Sequence, residues 1–253
     1  MRKNELRALL AEGGVAMNGW LHIPSTWSAE LMAHAGWDSL TVDLQHGMHG
    51  LEMAIQMLQA ISTTDTVPLV RVTWNDPGQI MRMLDAGAYG IICPMINTRA
   101  ECEAFVGACR YPPLGYRSLG PTRARVYAGA DYAEHANDEM LTLAMVETAE
   151  AVANIDAIAS VPGLDGIFVG TGDLRLSLTG GIGFDSADTQ VDAALDTILA
   201  ACARHDRVPG LFTASADYAR QMIARGFRLV TIKTDSMLLS ESAQQVIKQT
   251  RGE

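Results

Sequence analysis

Two carboxylates, Glu147 and Asp173, follow two successive apolar runs of the sequence, in the segments LAMVET and FVGTGD. Carboxylate oxygens are hard ligands that suit Mg²⁺, Mn²⁺ or Co²⁺, and two of them leave positions open for water and a chelating substrate. The alternative is that each carboxylate only caps the helix that follows it. Because both carboxylates follow neighbouring runs, the sequence favours a divalent-metal site.

Arg71 ends the apolar segment PLVRV, where an arginine needs an anionic partner. Its planar guanidinium is well shaped to bind a substrate carboxylate. The alternative is an ion pair with Asp43 or Glu147, and the two interpretations are compatible. We therefore predict that Arg71 binds an acidic substrate.

His46, in TVDLQHG, is the candidate acid–base residue, because imidazole titrates near neutral pH. Asp43 is the nearer acidic partner; Asp85 precedes a strand, and would therefore have to reach the site from another subunit. The alternatives are a plain loop histidine, or a metal-binding pair with His49. Gly47 and the lack of an adjacent carboxylate make that pair the weaker interpretation.

Two further features bear on the mechanism. The GTGD turn at Gly170–Asp173 is expected to point backbone N–H groups at an oxygen anion. Lys233, in LVTIKT, is the one lysine placed to form a Schiff base with a carbonyl substrate. A Schiff-base mechanism leaves Glu147 and Asp173 without a role, so the metal-assisted alternative is favoured.

A metal, an arginine and an imidazole base suit chemistry at a 2-oxo acid. The metal would bind the keto and carboxylate oxygens and stabilise the charge that develops as the neighbouring carbon becomes an enolate. His46 would move the proton of the C4 hydroxyl group, directly or through a water. Such aldol cleavage needs no nucleotide cofactor, and the sequence contains neither GxGxxG after its first strand nor GxxxxGK[ST].

Eight apolar runs alternate with segments of helical periodicity, without a linker between them. Near-continuous apolar strands are typical of a parallel sheet buried on both faces. The predicted strands are Val15–His22, Ser39–Gln45, Val67–Val72, Gly90–Met95, Leu141–Glu147, Gly166–Gly170, Val208–Thr213 and Leu229–Thr234. The predicted helices are Trp27–Ala35, Leu51–Ser62, Pro77–Ala86, Arg99–Cys109, Ala149–Ser160, Val191–His205, Ala216–Arg225 and Ser236–Thr250, after a short amphipathic N-terminal segment. This alternation predicts a single α/β domain over residues 1–253, a (β/α)₈ TIM barrel.

Two longer stretches, Arg110–Asp138 and Gly170–Asp188, interrupt the alternation. The second follows a strand and is therefore expected at the C-terminal face of the barrel, where active sites of this fold lie. The first follows a helix, so it would have to climb the barrel or reach a neighbouring subunit to meet substrate.

The composition excludes several classes of protein. The formal net charge of −10 argues against a nucleic-acid-binding protein. No run approaches the ~20 apolar residues of a membrane span. The four cysteines form no CxxC pair, which predicts reduced thiols in the cytoplasm.

Six segments occur in a specific order: SAELMAHAGWDSLTVDLQHG, PLVRV, MLDAGAYGIICPM, YPPLGYRSLGP, MVET and VGTGD. Together they resemble the HpcH/HpaI aldolase/citrate lyase family, especially its 4-hydroxy-2-oxoheptanedioate aldolase branch. The resemblance runs from about Gly19 to the closing helix. It implies a divalent metal and reversible cleavage of 4-hydroxy-2-oxo acids to pyruvate, or a close analogue such as hydroxypyruvate, and an aldehyde.

The resemblance also assigns roles to individual residues. It implies metal ligation by Glu147 and Asp173, pyruvate binding by Arg71 and by the backbone N–H groups of Gly172 and Asp173, acid–base chemistry by His46 paired with Asp85, and Asp43 in the same pocket. It implies a homohexamer, a trimer of dimers that exchanges the last helix between subunits.

Some positions depart from the family pattern or leave its details open. Gln45 stands where relatives often carry glutamate before the histidine, and Lys233 stands where small residues are frequent. Arg117 and Arg123, in the 110–128 loop, are expected either to hold a distal anionic group of the substrate or to be solvated. The competing functions are an acyl-CoA ester lyase, for which no basic groove is evident, and a non-catalytic 2-oxo acid binder, which would need no acid–base pair.

Overall fold

The structure is a computed structural model that describes residues 1–185 and 187–252, so positions 186 and 253 of the predicted domain lie outside the described residues. Eight parallel strands form one closed barrel in sequence order, and the last strand pairs with the first. The strands are β1 Ala16–Leu21, β2 Ser39–Asp43, β3 Val67–Arg71, β4 Gly90–Cys93, β5 Leu141–Val146, β6 Gly166–Val169, β7 Val208–Thr213 and β8 Leu229–Thr234. The predicted (β/α)₈ fold class is confirmed.

Helices surround this barrel. They are α1 Glu5–Ala11, α2 Thr26–Ala33, α3 Leu51–Ile61, α4 Pro77–Asp85, α5 Arg99–Cys109, α6 Thr122–Ala128, α7 Tyr132–Glu139, α8 Ala149–Ala153, α9 Ile155–Ala159, α10 Thr171–Thr179, α11 Thr189–His205, α12 Ala216–Arg225 and α13 Asp235–Arg251. Each predicted helix is present within about two residues, except that Ala149–Ser160 is divided into α8 and α9 at Asn154.

The two stretches taken as long connections contain helices of their own. Arg110–Asp138 includes α6 and most of α7, and Gly170–Asp188 includes α10. Pro121 and Gly129 flank α6, and Gly180 ends α10 with a φ of 70°. Glycine tolerates this left-handed conformation, so it is common both at the ends of helices and in loops, and the sequence alone does not distinguish the two.

Side chains alternate between the two faces of each strand, and those on the interior face form the floor of the site. Asn18 lies inside the barrel, where its side-chain amide donates to the hydroxyls of Thr41 and Thr231 at 3.0 and 2.7 Å. Successive same-face residues lie two apart along a strand, so Trp20 follows Asn18 on the interior face toward the C-terminal end. The register pairs Asp43 of β2 with Arg71 of β3, which places these two charges side by side at the strand ends.

Within the described ranges, no helix combines the length and the apolar character that crossing a membrane requires. All four cysteines are free and buried.

Candidate active site

A pocket of about 440 Å³ opens at the C-terminal ends of the strands. Side chains from the ends of β1, β3, β5, β6, β7 and β8 line it, together with the start of α10 and the loop after that helix. Arg71, Glu147, Asp173 and His46 all line this pocket. A concave site with a few convergent polar groups is typical of a small-molecule active site.

A buried ion pair supports one side of the pocket, with Arg71 at the pocket lining and Asp43 fully buried behind it. Arg71 donates from Nε and Nη2 to the two carboxylate oxygens of Asp43, at 2.8 and 2.5 Å. Burial alone would raise the pKa of Asp43, but hydrogen bonds from His22 and Arg71 hold it well below its usual range. Asp43 therefore remains ionised and fixes Arg71, as the ion-pair interpretation of Arg71 expected.

The remaining nitrogen of Arg71 is available to a substrate. Its Nη1 has only the Met145 sulfur near it, at 4.0 Å, among the described hydrogen-bond partners. The guanidinium also stacks over the Trp20 ring, 4.9 Å from the ring centroid. Asp43 and Trp20 thus hold the side chain in one orientation, with one donor left at the pocket wall.

Glu147 is buried directly after β5. Its side chain is fixed by the backbone N–H of Met95, which donates to Oε1 at 2.9 Å. Burial, together with the weaker effect of the nearby negative charge of Asp173, raises the pKa of Glu147 to about 7. The two carboxylates repel each other, and the positive charge of Arg71 offsets this repulsion only in part, so they are suited to share a metal ion.

Asp173 lies in the first turn of α10 and is exposed in the pocket. The predicted alternative, that the two carboxylates only cap helices, is not what the described residues show. The cap of α8 is Thr148, whose hydroxyl accepts from the N–H of Ala151 at 3.0 Å, and α10 has no side-chain cap. Thr148 therefore caps α8, no side chain caps α10, and both carboxylates line the same pocket.

This donor set fits an open metal site. Across the described ranges, no three His, Cys, Asp or Glu side chains are grouped to hold a metal ion. A metal bound at Glu147 and Asp173 would therefore have two protein carboxylates and several free positions, a pattern that suits an oxygen-loving cation such as Mg²⁺ better than a structural zinc.

A glycine makes room for one of these carboxylates. A Cβ at Gly170 would lie 2.2 Å from Oε2 of Glu147, much closer than two such atoms can approach.

We expect Gly170→Ala to displace the Glu147 carboxylate and to weaken Mn²⁺ binding at least tenfold while the protein stays folded. Titration with Mn²⁺ measures the effect. Gly50→Ala is the matched control, since a Cβ there meets nothing closer than 3.7 Å; equal affinities in the two variants would contradict this role.

The GTGD turn lies at the pocket. Residues 170–173 all line the pocket, and α10 begins at Thr171. N–H groups in the first turn of a helix have no acceptor within that helix. The turn therefore presents donors beside Asp173, as an anion site would require.

Two histidines belong to the pocket, and only one was predicted. The ring of His46 is exposed, while its backbone N–H donates to Asp43 at 3.3 Å. His22 also lines the pocket, and its Nε2 lies 2.7 Å from the same carboxylate. His22 was not predicted as a site residue, although its position directly after β1 is typical of one.

Asp85 does not reach this pocket within the chain. It ends α4, at the opposite face of the barrel, and accepts from Nη2 of Arg117 at 2.7 Å. Arg117 is fully buried beside the rings of Tyr111 and Tyr132. The predicted pair of His46 and Asp85 is thus not formed by one copy of the chain.

Three other candidates also lie away from the pocket lining. Arg123 donates to the carbonyl of Ala86 and to the hydroxyl of Ser62. His49 is partly buried with neither ring nitrogen paired among the described residues, and Gln45 has a buried, unpaired Oε1. A metal pair of His46 and His49 finds no support in this arrangement, and nothing in the structure explains the glutamine at 45.

The comparisons with known proteins agree with this architecture. A sequence model described as HpcH/HpaI aldolase/citrate lyase matches residues 19–242. The hydroxypyruvate/pyruvate aldolase of Rhizorhabdus wittichii is 41% identical over 98% of this chain and 99% of its own. The 4-hydroxy-2-oxo-heptane-1,7-dioate aldolase of Escherichia coli is 34% identical over 96% of this chain and 93% of its own. The crystal structure of a family protein from Burkholderia cenocepacia superposes with a TM-score of 0.92 at 32% identity, covering 98% of this chain and 99% of that one.

The fold and the pocket define a (β/α)₈-barrel enzyme with two carboxylates and a fixed arginine in a pocket at its strand ends. The chain belongs to the HpcH/HpaI aldolase/citrate lyase family. The family expected from the ordered sequence segments is confirmed.

Proposed function

We propose that this protein is a divalent-metal-dependent aldolase. It reversibly cleaves 4-hydroxy-2-oxo acids to pyruvate, or a close analogue such as hydroxypyruvate, and an aldehyde. The observation that carries the proposal is the meeting of Glu147, Asp173 and the free Nη1 of Arg71 at one pocket. The names of the Rhizorhabdus wittichii and Escherichia coli relatives support the same reaction class.

Each of these residues has a defined part in the reaction. Glu147 and Asp173 would hold Mg²⁺, Mn²⁺ or Co²⁺, which when bound supplies Lewis-acid stabilisation of the negative charge on the 2-oxo acid. Arg71 donates from Nη1 to the bound 2-oxo acid, and the N–H groups of Gly172 and Asp173 bind its carboxylate. Asp43 holds Arg71 in place and accepts the backbone N–H of the His46 loop.

The proton moves through His46. It takes the proton of the C4 hydroxyl, directly or through a water, as the C3–C4 bond breaks and the aldehyde forms. The bonding electrons pass to C3 and give the enolate of pyruvate, which is then protonated at C3. The acidic partner of His46 in this scheme is Asp85 of another subunit, because its own Asp85 ends α4 at the far face.

The outer surface of α13 supports the proposed oligomer. Every described residue of this helix from Ser240 onward is exposed. Leu239, Val246 and Ile247 lie on one side of it and are 65%, 58% and 50% exposed. Such an apolar stripe suits packing against another subunit. We propose a homohexamer, a trimer of dimers with this helix exchanged, in a reducing cytoplasm that keeps the four cysteines free.

A direct assay tests the proposed reaction. Metal-stripped protein is incubated with 4-hydroxy-2-oxopentanoate, and pyruvate release is followed with and without added Mg²⁺, Mn²⁺ or Co²⁺. We expect no release without metal and recovery with at least one of the three ions. Metal-dependent pyruvate binding without any turnover would instead favour a 2-oxo acid binder.

The Schiff-base alternative makes a separate prediction at Lys233. This residue has a φ of 59° where the pairing of β8 with β1 shifts register, and its Nζ contacts Glu241 on α13 rather than the pocket. We expect Lys233→Ala to keep its metal-dependent activity and borohydride to add no substrate mass to the wild-type protein. Borohydride trapping of pyruvate on Lys233, with activity that persists without metal, would contradict the metal mechanism.

A further inference from the structure

The proposed reaction moves two protons, and His46 accounts for only one of them. It takes the proton of the C4 hydroxyl as the C3–C4 bond breaks. A second proton must then be added at C3, because the electrons of the broken bond remain there. A positioned acid–base group accelerates such a proton transfer about 10²- to 10⁴-fold. The pocket is therefore expected to contain a second group of this kind.

Few side chains at the pocket can carry the second proton. Five titratable side chains line it among the described residues: Glu147, Asp173, Arg71, His46 and His22. The two carboxylates are the proposed metal ligands, and an arginine does not give up its proton in a protein. His22 is thus the titratable group that the rest of the mechanism leaves free.

Asp43 fixes the ring of His22. Oδ2 of Asp43 lies 2.7 Å from Nε2 of the imidazole. Because Asp43 stays ionised, its carboxylate can only accept, and Nε2 must carry the proton between them. In the neutral imidazole the other nitrogen, Nδ1, then keeps its lone pair and can accept a proton.

Nδ1 of His22 is available to a substrate. It has no hydrogen-bond partner among the described residues, and it is not one of their buried unpaired atoms. The side chain lines the pocket and is 26% exposed. The backbone is held as well, because the N–H of His22 donates to Asp235 at 2.8 Å. The imidazole is thus anchored at both ends, with one nitrogen left open.

The position of His22 in the barrel suits a reaction at C3. Glu147 and the GTGD turn follow β5 and β6, whereas His22 and His46 follow β1 and β2, across the closed barrel. A 2-oxo acid bound through its C1 and C2 oxygens at the first side extends C3 and C4 toward the second. Asp43 joins the two histidines, because it accepts from the ring of one and the backbone N–H of the other.

Assembly with other subunits leaves this pair intact. The Asp85 proposed to come from another copy of the chain approaches His46, and it is paired with Arg117. The pair of His22 and Asp43, in contrast, is complete within one chain. The two histidines therefore have separate acidic partners.

We infer that His22, held by Asp43, is a second acid–base residue, which transfers the proton at C3. The inference rests on the proposed aldolase function and adds a residue to the same site. In aldol addition, Nδ1 of His22 takes a proton from C3 of pyruvate, and the electrons of the C–H bond form the enolate. In cleavage, protonated His22 gives a proton from Nδ1 to C3, which yields pyruvate, and it regains that proton from water.

Exchange of the C3 protons of pyruvate tests this step without any aldehyde. Protein with Mg²⁺ is incubated with pyruvate in D₂O, and loss of the methyl proton signal is followed by NMR. We expect His22→Ala to lower the exchange rate by about 10²-fold or more with KM for pyruvate little changed, and added imidazole to restore part of the rate. His34→Ala, at an exposed histidine that ends α2, should exchange as the wild type does.

His22→Gln separates an acid–base role from a structural one. The glutamine amide can still donate to Asp43, but it cannot take up a proton. We expect the same loss of exchange, about 10²-fold or more, in a protein with the wild-type circular dichroism spectrum. Exchange close to the wild-type rate in His22→Gln would overturn the inference, because His22 would then only support Asp43. A loss in folded His22→Ala that imidazole does not relieve would overturn it too; if His22→Ala does not fold, the glutamine variant decides.

The two histidines should also differ in which reaction they limit. We expect His46→Ala to lose more cleavage of 4-hydroxy-2-oxopentanoate than exchange of pyruvate. A greater loss of exchange in His46→Ala than in His22→Ala would assign the C3 proton to His46 and overturn the inference.

The wild-type protein separates the two possible failures. If it neither cleaves the 4-hydroxy-2-oxo acid nor exchanges the C3 protons of pyruvate with metal present, the proposed aldolase function itself is wrong. If it cleaves without exchange, or if it does both and His22→Gln exchanges as fast, the aldolase function stands and the role of His22 fails.

Discussion

Replacing Glu147 by glutamine is expected to lower metal-dependent kcat/KM by about 10³-fold or more, because the lost ligand removes Lewis-acid stabilisation worth several kcal/mol. The side chain keeps its volume, and its Oε1 can still accept the N–H of Met95. The protein should therefore fold normally, and pyruvate release from a 4-hydroxy-2-oxo acid measures the loss.

The same substitution should make the metal-free protein more stable at pH 8. Burial raises the pKa of Glu147 to about 7, above its unfolded value, so folding favours the protonated form. Stability is then lost as pH rises from the unfolded pKa through about 7, and a neutral glutamine avoids that loss. We expect a gain of about 1–3 kcal/mol at pH 8, measured by chemical denaturation.

Glu139 provides a matched control with the opposite behaviour. Burial tends to raise its pKa, but hydrogen bonds from Lys3 and the N–H of Asn4 outweigh this and lower it. Glu139→Gln should therefore lose stability at neutral pH while keeping the aldolase activity. If Glu147→Gln were also destabilised and its activity merely followed its folded fraction, Glu147 would be a structural residue and not a metal ligand.

The largest loss of stability is expected from Asp43→Asn. This side chain is fully buried, and it is the shared acceptor of Arg71, His22 and Trp20. Neutralising it leaves the Arg71 charge buried without a partner, which costs about 3–5 kcal/mol. Urea unfolding midpoints, with the slope checked for a common two-state transition, measure the effect.

An exposed pair of the same chemistry serves as its control. Asp156 accepts two hydrogen bonds from Nη2 of Arg204 on the protein surface. Exposed ion pairs contribute little to stability, so Asp156→Asn should leave the midpoint nearly unchanged. A small effect of both substitutions would mean that Arg71 finds another partner. The conclusion that Asp43 fixes the orientation of Arg71 Nη1 would then be wrong.

The barrel was predictable because its signals are local and repeated. Each strand is a short apolar run buried on both faces, and the strand bounds were correct to within about two residues. Glu147 and Asp173 could be singled out because polar residues at the ends of parallel strands converge at one face. Helices α6 and α10 were missed because prolines and glycines bound them, and these residues are also typical of loops.

The pairing of side chains across the barrel was harder to predict. His22 lies 21 positions before Asp43, and their contact depends on the register of β1 against β2. The direction of the Lys233 side chain depends on a local shift in the register of β8 against β1, and no residue type in the sequence predicts that shift. Asp85 shows the limit most clearly, because a residue that ends a helix at the far face can join the site only through another copy of the chain.

The position of the bound metal ion is the decisive observation for the proposed site. Crystals of the protein grown with Mn²⁺ and pyruvate would be measured near the manganese absorption edge. We expect one strong anomalous peak in the pocket, within coordination distance of carboxylate oxygens from both Glu147 and Asp173, with pyruvate against the GTGD turn. A peak bound elsewhere, or pyruvate bound with no manganese between these two carboxylates, would contradict it.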